Sequence, residues 1–384
     1  MNEQLLFGLD RLLHQPGPYQ GKRIALVCTH ASVTVGGIAS REALLKNGFN
    51  LVKLFSPEHG LDAVGEDGHY QADGTDKLTG LPVTSLYGDR LAPQAEDLAG
   101  IDLVLVDLPD VGCRFYTYLW TMSHVMEACA RFNIPILVTD RPNPTGGNLQ
   151  HAEGPMLDEV NCSSFIGRWR IPVRHSCTLG ELALYFKAIK MPHLDLSVIP
   201  VLNWQRHQRN SFNFTATSPA IRNFDTALLY PGTGLLEGIN VNEGRGTDFP
   251  FKVCGAPWIN KQSLYELVSK NPPAGLAIHP ASYIPESGLY KGKQCHGVDL
   301  NVTDETTFRP VQTGIKLIRA MLTLYPNECH ERLYDTHANP GGMAHLDKLL
   351  GIPDVLHKIK DGEEIETGVA EEWIITMEEH LLYK

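Results

Sequence analysis

The residues that follow one apolar run carry the clearest chemical signal in this sequence. Residues 50–55 have the pattern of a buried strand, and the next stretch, SPEHG at 56–60, presents Glu58 and His59, with Glu66 shortly after. Ionisable groups just past the carboxyl end of a strand lie where open α/β sheets hold their active sites. A partly desolvated carboxylate there can donate a proton near neutral pH. Glu58 is therefore a candidate general acid, although a polar loop residue is the simpler interpretation of one carboxylate alone.

A second cluster follows the apolar run at 101–106. Two carboxylates, an arginine and two tyrosines occur close together: Asp107, Asp110, Arg114, Tyr116 and Tyr118. An arginine offers a planar fork of donors to a carboxylate or a sugar hydroxyl, and a tyrosine offers a flat ring with a polar tip. A structural role is equally open, because aspartate is a favoured helix cap and the arginine could pair with it.

Two further strand ends carry polar groups. The run at 134–139 ends at Asp140, with Asn143 held between two prolines, and the run at 23–28 ends at a threonine. Because parallel strands end on one edge of a sheet, we expect four side chains to converge there: Thr29, Glu58, Asp107 and Asp140. This expected convergence is the strongest argument for an active site that the residues alone provide.

Two later segments carry weaker signals. His175 follows an apolar stretch, and a lone histidine is more often a hydrogen-bonded structural residue than a catalyst. The segment NEGRGT at 242–247 places Glu243 and Arg245 among glycines. Such a segment could line a pocket from across a domain interface, which is a common place for ligand sites.

Signatures of several other enzyme classes are absent from the sequence. It contains no P-loop, no dinucleotide-binding fingerprint, no H-E-x-x-H zinc motif and no G-x-S-x-G nucleophile elbow. Neither the 16 histidines nor the 8 cysteines show the spacing of metal ligands. We therefore expect no metal and no cofactor, and we expect the cysteines to be buried free thiols.

The composition is typical of a soluble globular protein. The chain has 384 residues, of which 43% are hydrophobic, and a net charge of −11. An acidic surface argues against nucleic-acid binding, because phosphate contacts need clustered Lys and Arg. No apolar run is long enough for a membrane span. The N-terminus lacks the pattern of an export signal, which predicts a cytoplasmic protein, or a periplasmic or secreted one if a signal was trimmed.

The candidate residues need a scaffold, and the first half supplies the pattern of a parallel, doubly wound α/β sheet. Strands are predicted at 23–28, 50–55, 83–86, 101–106, 134–139 and 196–201. Helices are predicted between them at 40–47, 92–99, 116–131 and 179–189. The irregular stretch 203–225 marks a boundary, and the rest has an α+β pattern. We therefore predict an N-terminal domain over 1–225 and a smaller C-terminal domain over 226–384.

Several long motifs together resemble one known family. They are SPEHG at 56–60, LPVTSLYG at 81–88, DLPDVGCRFYTY at 107–118, DRPNP at 140–144, EGPML at 153–157 and NEGRGT at 242–247. The chain resembles the DUF1343 family, whose members are described as exo-β-N-acetylmuramidases of the NamZ type, a glycoside hydrolase family. The resemblance implies a Rossmann-like N-terminal domain and a cleft between the two domains. It also implies release of terminal N-acetylmuramic acid (MurNAc) from peptidoglycan fragments, with the catalytic glutamate at Glu58.

The combined interpretation assigns roles to named residues. Glu58 is the expected general acid, and the second catalytic group is Glu66 or Asp110, with Glu243 as a third choice. The residues expected to bind the sugar are His59, Arg114, Tyr116, Tyr118, Asp140, Asn143, His175, Glu243 and Arg245. The expected partner is a muropeptide or a peptidoglycan-derived disaccharide. Two alternatives stay open, namely a non-catalytic muropeptide-binding or sensing module and a hydrolase of acyl or phosphate esters.

Overall fold

The computed structural model describes residues 4–62, 72–209, 212–336, 339–369 and 371–384. Two β-sheets organise these residues. The strands of the first are β1 (Ile24–Cys28), β2 (Leu51–Ser56), β3 (Gly74–Thr75), β4 (Pro82–Ser85), β5 (Leu103–Asp107), β6 (Ile136–Thr139) and β7 (Leu196–Ile199). Those of the second are β8 (Val253–Ala256), β9 (Leu276–Tyr283) and β10 (Cys295–Val302).

The first sheet is parallel except at one edge, as the sequence predicts. Its strand order is β3-β4-β2-β1-β5-β6-β7, and only the β3–β4 pair is antiparallel. The chain moves outward from β1 to β2 and β4, then returns to β5 on the other side of β1. Ligands of such sheets bind outside the carboxyl ends of the strands, near the point where the order reverses. β1 and β5 are buried throughout, which explains their continuous apolar sequences.

Ten helices connect and cover the two sheets in the described residues. They are α1 (Gly8–His14), α2 (Ser40–Lys46), α3 (Tyr118–Phe132), α4 (Leu179–Lys190), α5 (Phe224–Thr233), α6 (Lys261–Ser269), α7 (Pro310–Leu324), α8 (His345–Leu350), α9 (Val355–Lys360) and α10 (Glu371–Met377). The helix predicted at 92–99 is wrong, because this stretch forms consecutive turns. The N–H groups of Asp97 and Ile101 donate to carbonyl oxygens three residues earlier, which closes separate turns rather than a continuous helical ladder.

Helix α5 was not expected, because its sequence contains Pro231 and Gly232. A side chain at Gly232 would lie 2.0 Å from the carbonyl oxygen of Pro310, at the start of α7. The glycine therefore allows the backbones of α5 and α7 to touch. This close contact holds the segment that follows α5 against the second half of the chain.

The two halves share one hydrophobic core. The largest cluster of buried apolar side chains contains residues of both sheets, from Val27 in β1 to Val298 in β10. The chain end packs back onto the first half, where Trp373 Nε1 donates to the His175 carbonyl oxygen at 2.9 Å. The packing fixes the second half against the carboxyl edge of the parallel sheet, where the candidate site lies.

Candidate active site

One cavity is lined by residues that follow three strands of the parallel sheet. Glu58 follows β2, Tyr87 follows β4, and Thr117 lies between β5 and α3. The second half of the chain supplies the remaining wall, including Glu237, Arg245 and Phe251. The space within these walls, mouth included, is about 730 Å³. The cavity opens to solvent, and aromatic rings share its lining with a few polar and charged groups, as is common in small-molecule sites.

Glu58 lies in the wall of this cavity with 8% of its surface exposed. Its Oε2 accepts a hydrogen bond of 2.7 Å from the Thr117 hydroxyl, so the segment after β5 orients the carboxylate that follows β2. The next residue, His59, also lines the cavity and has a φ of 68°. Left-handed backbone is uncommon outside glycine, and such strain concentrates at functional sites. The strand end predicted from SPEHG thus presents both side chains to a cavity.

The two predicted tyrosines differ in position. Tyr116 lines the cavity, and its hydroxyl donates to the Thr217 carbonyl oxygen at 3.2 Å. Tyr118 donates to the same oxygen at 2.8 Å, but its ring is fully buried behind Tyr116, with the ring centres 4.7 Å apart. Tyr116 therefore offers a ring face to a ligand, whereas Tyr118 supports it.

An ion-pair network forms the opposite polar part of the lining. Arg245 donates from Nε and Nη2 to Glu237 Oε1 at 3.0 and 2.8 Å, and its Nε lies 3.2 Å from Glu243 Oε1. Glu237 lines the cavity together with Glu58, whereas Glu243 lines an adjoining groove that shares Arg245. Sequence analysis missed Glu237. Its only signal was a lone carboxylate in the apolar stretch LLEG at 235–238.

Asp110, Asn143 and His175 form a separate buried cluster. Asp110 Oδ2 accepts the Gly112 N–H at 2.8 Å and lies 3.2 Å from His175 Nε2. Asn143 Nδ2 donates to the Cys177 carbonyl oxygen at 2.9 Å. Asp110 lines a different, smaller cavity. The structure thus brings these three residues together but not to the cavity of Glu58. The start of the segment between β5 and α3 lines the smaller cavity, whereas its end lines the cavity of Glu58.

Arg114 does not reach the cavity where the sequence-based interpretation places it. Its side chain is fully buried, with 0% exposure. Nη1 donates to the carbonyl oxygens of Pro155 and Ile171 at 2.9 and 2.8 Å, and Nη2 donates to that of Leu349 at 3.0 Å. Arg114 therefore ties three chain segments together, and its donors are directed at backbone rather than at a ligand.

Asp107 and Asp140 also lie away from the cavity. Asp107 is fully buried and accepts both Nε and Nη2 of Arg141 at 2.8 Å. Asp140 accepts the Thr178 hydroxyl at 2.6 Å and the Gly180 N–H at 2.8 Å, both at the start of α4. The Tyr383 hydroxyl completes its partners at 2.5 Å. The expected convergence of four strand ends is therefore wrong for these two aspartates, because helix capping and ion pairing occupy their oxygens.

Asp140 should make the stability of the protein depend on pH. Burial raises its pKa to about 6 from an ordinary value of 3.8, against the hydrogen bonds of Thr178, Tyr383 and Gly180. The folded protein therefore holds this proton to higher pH than the unfolded chain does, and stability falls as pH rises from about 4 to about 6. Relative to Asp140→Asn, wild type should lose on the order of 3 kcal/mol of unfolding free energy across this window. Denaturant unfolding of both proteins at several pH values measures this loss, and a pH-independent difference would contradict it.

Other expectations concern the rest of the chain. Glu66 lies outside the described residues. All eight cysteines are free and buried, as predicted, and burial raises the pKa of Cys113 well above its ordinary value. In the described part of the chain, no three His, Cys, Asp or Glu side chains are grouped closely enough to hold a metal ion. Nor does any helix there have the length and apolar character needed to cross a bilayer.

Comparisons with known proteins agree with this architecture. Residues 24–225 match the N-terminal domain of exo-β-N-acetylmuramidase NamZ, and residues 228–381 match its C-terminal domain. The chain is 38% identical over 364 residues to the peptidoglycan β-N-acetylmuramidase NamZ of Bacillus subtilis (strain 168), covering 94% of this chain and 85% of that relative.

Two solved structures of DUF1343 family proteins from Bacteroides fragilis NCTC 9343 have the same fold. One has 27% sequence identity and a TM-score of 0.83, covering 99% of each chain. The other has 28% identity and a TM-score of 0.75, covering 100% of this chain and 99% of the other. Both family domains match in order along one chain, and a relative above 30% identity matches over most of its length. The protein therefore belongs to the exo-β-N-acetylmuramidase NamZ family, earlier described as DUF1343.

Proposed function

We propose that this protein is a glycoside hydrolase that releases MurNAc from the non-reducing end of peptidoglycan fragments, and that the reaction takes place in the cavity beside Glu58. One observation carries the proposal: two carboxylates, Glu58 and Glu237, line a single cavity in a member of the NamZ family. Among the described residues that line this cavity, no other side chain is a carboxylate. The B. subtilis relative is named for the same activity.

Glu58 is the general acid of the proposed reaction. Hydrolysis of a glycoside needs an acid that protonates the leaving oxygen and a second carboxyl group on the other side of the sugar. The Thr117 hydroxyl donates to Oε2 and so fixes the plane of the Glu58 carboxyl group. Tyr116 and Phe115 lie beside it in the wall and present apolar surface to a sugar ring.

Glu237 supplies the second carboxyl group. Arg245 holds its Oε1 through two donors, which fixes the carboxylate towards the lumen that it shares with Glu58. From this position Glu237 acts either as the base that activates water or as the nucleophile, and the separation of the two carboxyl groups decides which. This assignment replaces Asp110, which lines another cavity, and Glu243, which lines the adjoining groove.

Glu237→Gln should lower kcat on MurNAc-GlcNAc by about 100-fold or more, because a positioned base or nucleophile contributes at least that much. Glu243→Gln is the matched control, since Glu243 also pairs with Arg245 but faces the groove. Steady-state kinetics of both variants measures the contrast. A larger loss in Glu243→Gln than in Glu237→Gln would transfer the role to Glu243.

The proposed function is tested with purified protein and two substrates, MurNAc-GlcNAc and a chromogenic N-acetyl-β-muramide, with and without a chelator. We expect both substrates to release free MurNAc. For each substrate, the rate should be the same with and without the chelator. Tight binding of the disaccharide without turnover would favour a binding or sensing module instead. Turnover of acyl or phosphate esters, with the muramides left intact, would favour a different hydrolase class.

A further inference from the structure

One face of α8 carries two polar side chains into the cavity of Glu58. His345 and Lys348 are three residues apart on this helix, so they lie on the same face, and both line the cavity. The groups described so far explain how a glycosidic bond could be broken. They do not explain how the cavity would distinguish MurNAc from other N-acetylated sugars.

His345 is buried in the cavity wall without polar partners. Only 4% of its surface is exposed, and neither ring nitrogen has a hydrogen-bond partner among the residues described. Its ring stacks on Tyr334, with the ring centres 4.4 Å apart and the planes 7° from parallel. Burial, with the positive charges of Arg332 and Lys348, lowers the pKa of His345 to about 3. The neutral ring therefore has one donor and one acceptor to offer a ligand.

Lys348 brings a positive charge that no carboxylate of the described residues neutralises. Its Nζ donates to the Asn339 Oδ1 and, at 3.1 Å, to the Met343 carbonyl oxygen, both of which are uncharged. An ammonium group has three donors, so one is left for a ligand. Arg245, the other strong cation of the lining, differs in this respect, because it is paired with Glu237 and Glu243.

Muramic acid carries the negative charge that could pair with the Lys348 ammonium. MurNAc differs from N-acetylglucosamine by a lactyl ether, and that ether ends in a carboxylate. A charge-assisted hydrogen bond between an ammonium and a carboxylate is stronger than a neutral one, and it gains strength in a partly desolvated cavity. The remaining polar groups, the acetamido group and the ring hydroxyls, are common to both sugars.

We propose that Lys348 is the specificity-determining residue that binds the lactyl carboxylate of MurNAc, and that His345 binds an acetamido or hydroxyl group that both sugars share. The inference rests on the proposed function, because it names the group of the substrate that this same cavity selects. It makes the cavity a site for an acidic sugar. Neutral analogues of the same size cannot form the ionic contact with Lys348 and therefore bind there more weakly.

The test compares ligands that differ only in the charge of the lactyl group. Calorimetry measures binding of MurNAc and of its lactyl methyl ester to full-length Glu58→Gln protein, with and without Lys348→Met. Removing either charge should weaken binding by about 10- to 100-fold, the range for a hydrogen bond between charged groups. Removing both should cost no more than removing one, so the ester should bind the two proteins equally.

Two further variants show that the effect is local. Lys358→Met removes an ammonium from α9 that binds the Pro353 carbonyl oxygen and does not line the cavity, so binding should not change. His345→Phe keeps the ring stack on Tyr334. It should weaken binding of the acid and of the ester by the same factor.

If Lys348→Met lost the same affinity for the acid and for the ester, or lost no affinity at all, the role of Lys348 would be overturned. Failure of both ligands to bind the Glu58→Gln protein would overturn it as well. Turnover of MurNAc-GlcNAc by wild type, measured in parallel, separates the two levels of the account. Turnover together with an unchanged preference for the acid removes only this inference, whereas absence of turnover removes the proposed function and the inference with it.

Discussion

Glu58→Gln should lower kcat on MurNAc-GlcNAc by about 100- to 10,000-fold, the range that a positioned general acid contributes. The loss should depend on the leaving group. The sugar alkoxide that leaves MurNAc-GlcNAc needs a proton, whereas a nitrophenolate leaves without one. We therefore expect a much smaller loss on the chromogenic muramide, and steady-state kinetics of both substrates measures the ratio.

The control for this variant is its stability. Glutamine is nearly isosteric with glutamate and can still accept the Thr117 hydroxyl, so the midpoint of thermal unfolding should stay close to that of wild type. Equal losses on both substrates would remove Glu58 from the role of acid. Near-wild-type turnover would remove it from the mechanism altogether.

Arg114→Met should show the opposite pattern, with a large loss of stability and little change in substrate binding by the folded protein. The side chain is fully buried and donates to three backbone carbonyl oxygens. Methionine fills similar space but leaves these acceptors unpaired, which costs about 3 kcal/mol or more of unfolding free energy. Denaturant unfolding gives this value, and KM on the chromogenic muramide gives the effect on binding.

Arg170→Met is the matched control for this second variant. Arg170 forms a bidentate pair with Glu372 at 2.9 Å, but both side chains are exposed, so the cost should be about 1 kcal/mol or less. A raised KM with unchanged stability in Arg114→Met would return Arg114 to the sugar-binding role that its sequence context favours.

The contrast between Glu58 and Arg114 shows how far sequence reasoning extends at this site. Continuous apolar runs predict parallel strands well, because only buried strands tolerate them, and the carboxyl end of β2 did lead to a cavity. What a polar residue contacts after a strand end depends on distant segments. The partners of Arg114 include Pro155 and Leu349, and neither can be read from the sequence around residue 114.

The predictions for Asp107 and Asp140 are wrong for a related reason. Asp140 was correctly placed at a strand end, but its oxygens are occupied by the first turn of α4 and by Tyr383 near the end of the chain. A carboxylate at such a position can serve either a substrate or a helix, and local sequence does not separate the two. At Asp140, the long-range packing of the chain end determines which of the two the carboxylate contacts.

Three residues that sequence analysis missed, Glu237, His345 and Lys348, come from the second half of the chain. Glu237 follows α5. The sequence of this helix does not have a helical pattern, because it contains a proline and a glycine that allows close contact with α7. Helix α8 spans His345–Leu350. Its sequence gives no indication that one face meets residues that follow β2, almost 300 positions earlier. Periodicity identifies such a helix, but the tertiary fold selects the face that becomes functional.

A crystal structure of Glu58→Gln with MurNAc-GlcNAc bound would show directly whether the sugar binds beside residue 58. We expect the muramoyl ring in the cavity beside Tyr116, with the glycosidic oxygen about 3 Å from the side-chain amide of residue 58. The Glu237 carboxylate should lie on the other side of the ring. A disaccharide bound only outside this cavity, or a glycosidic oxygen far from residue 58, would contradict the account.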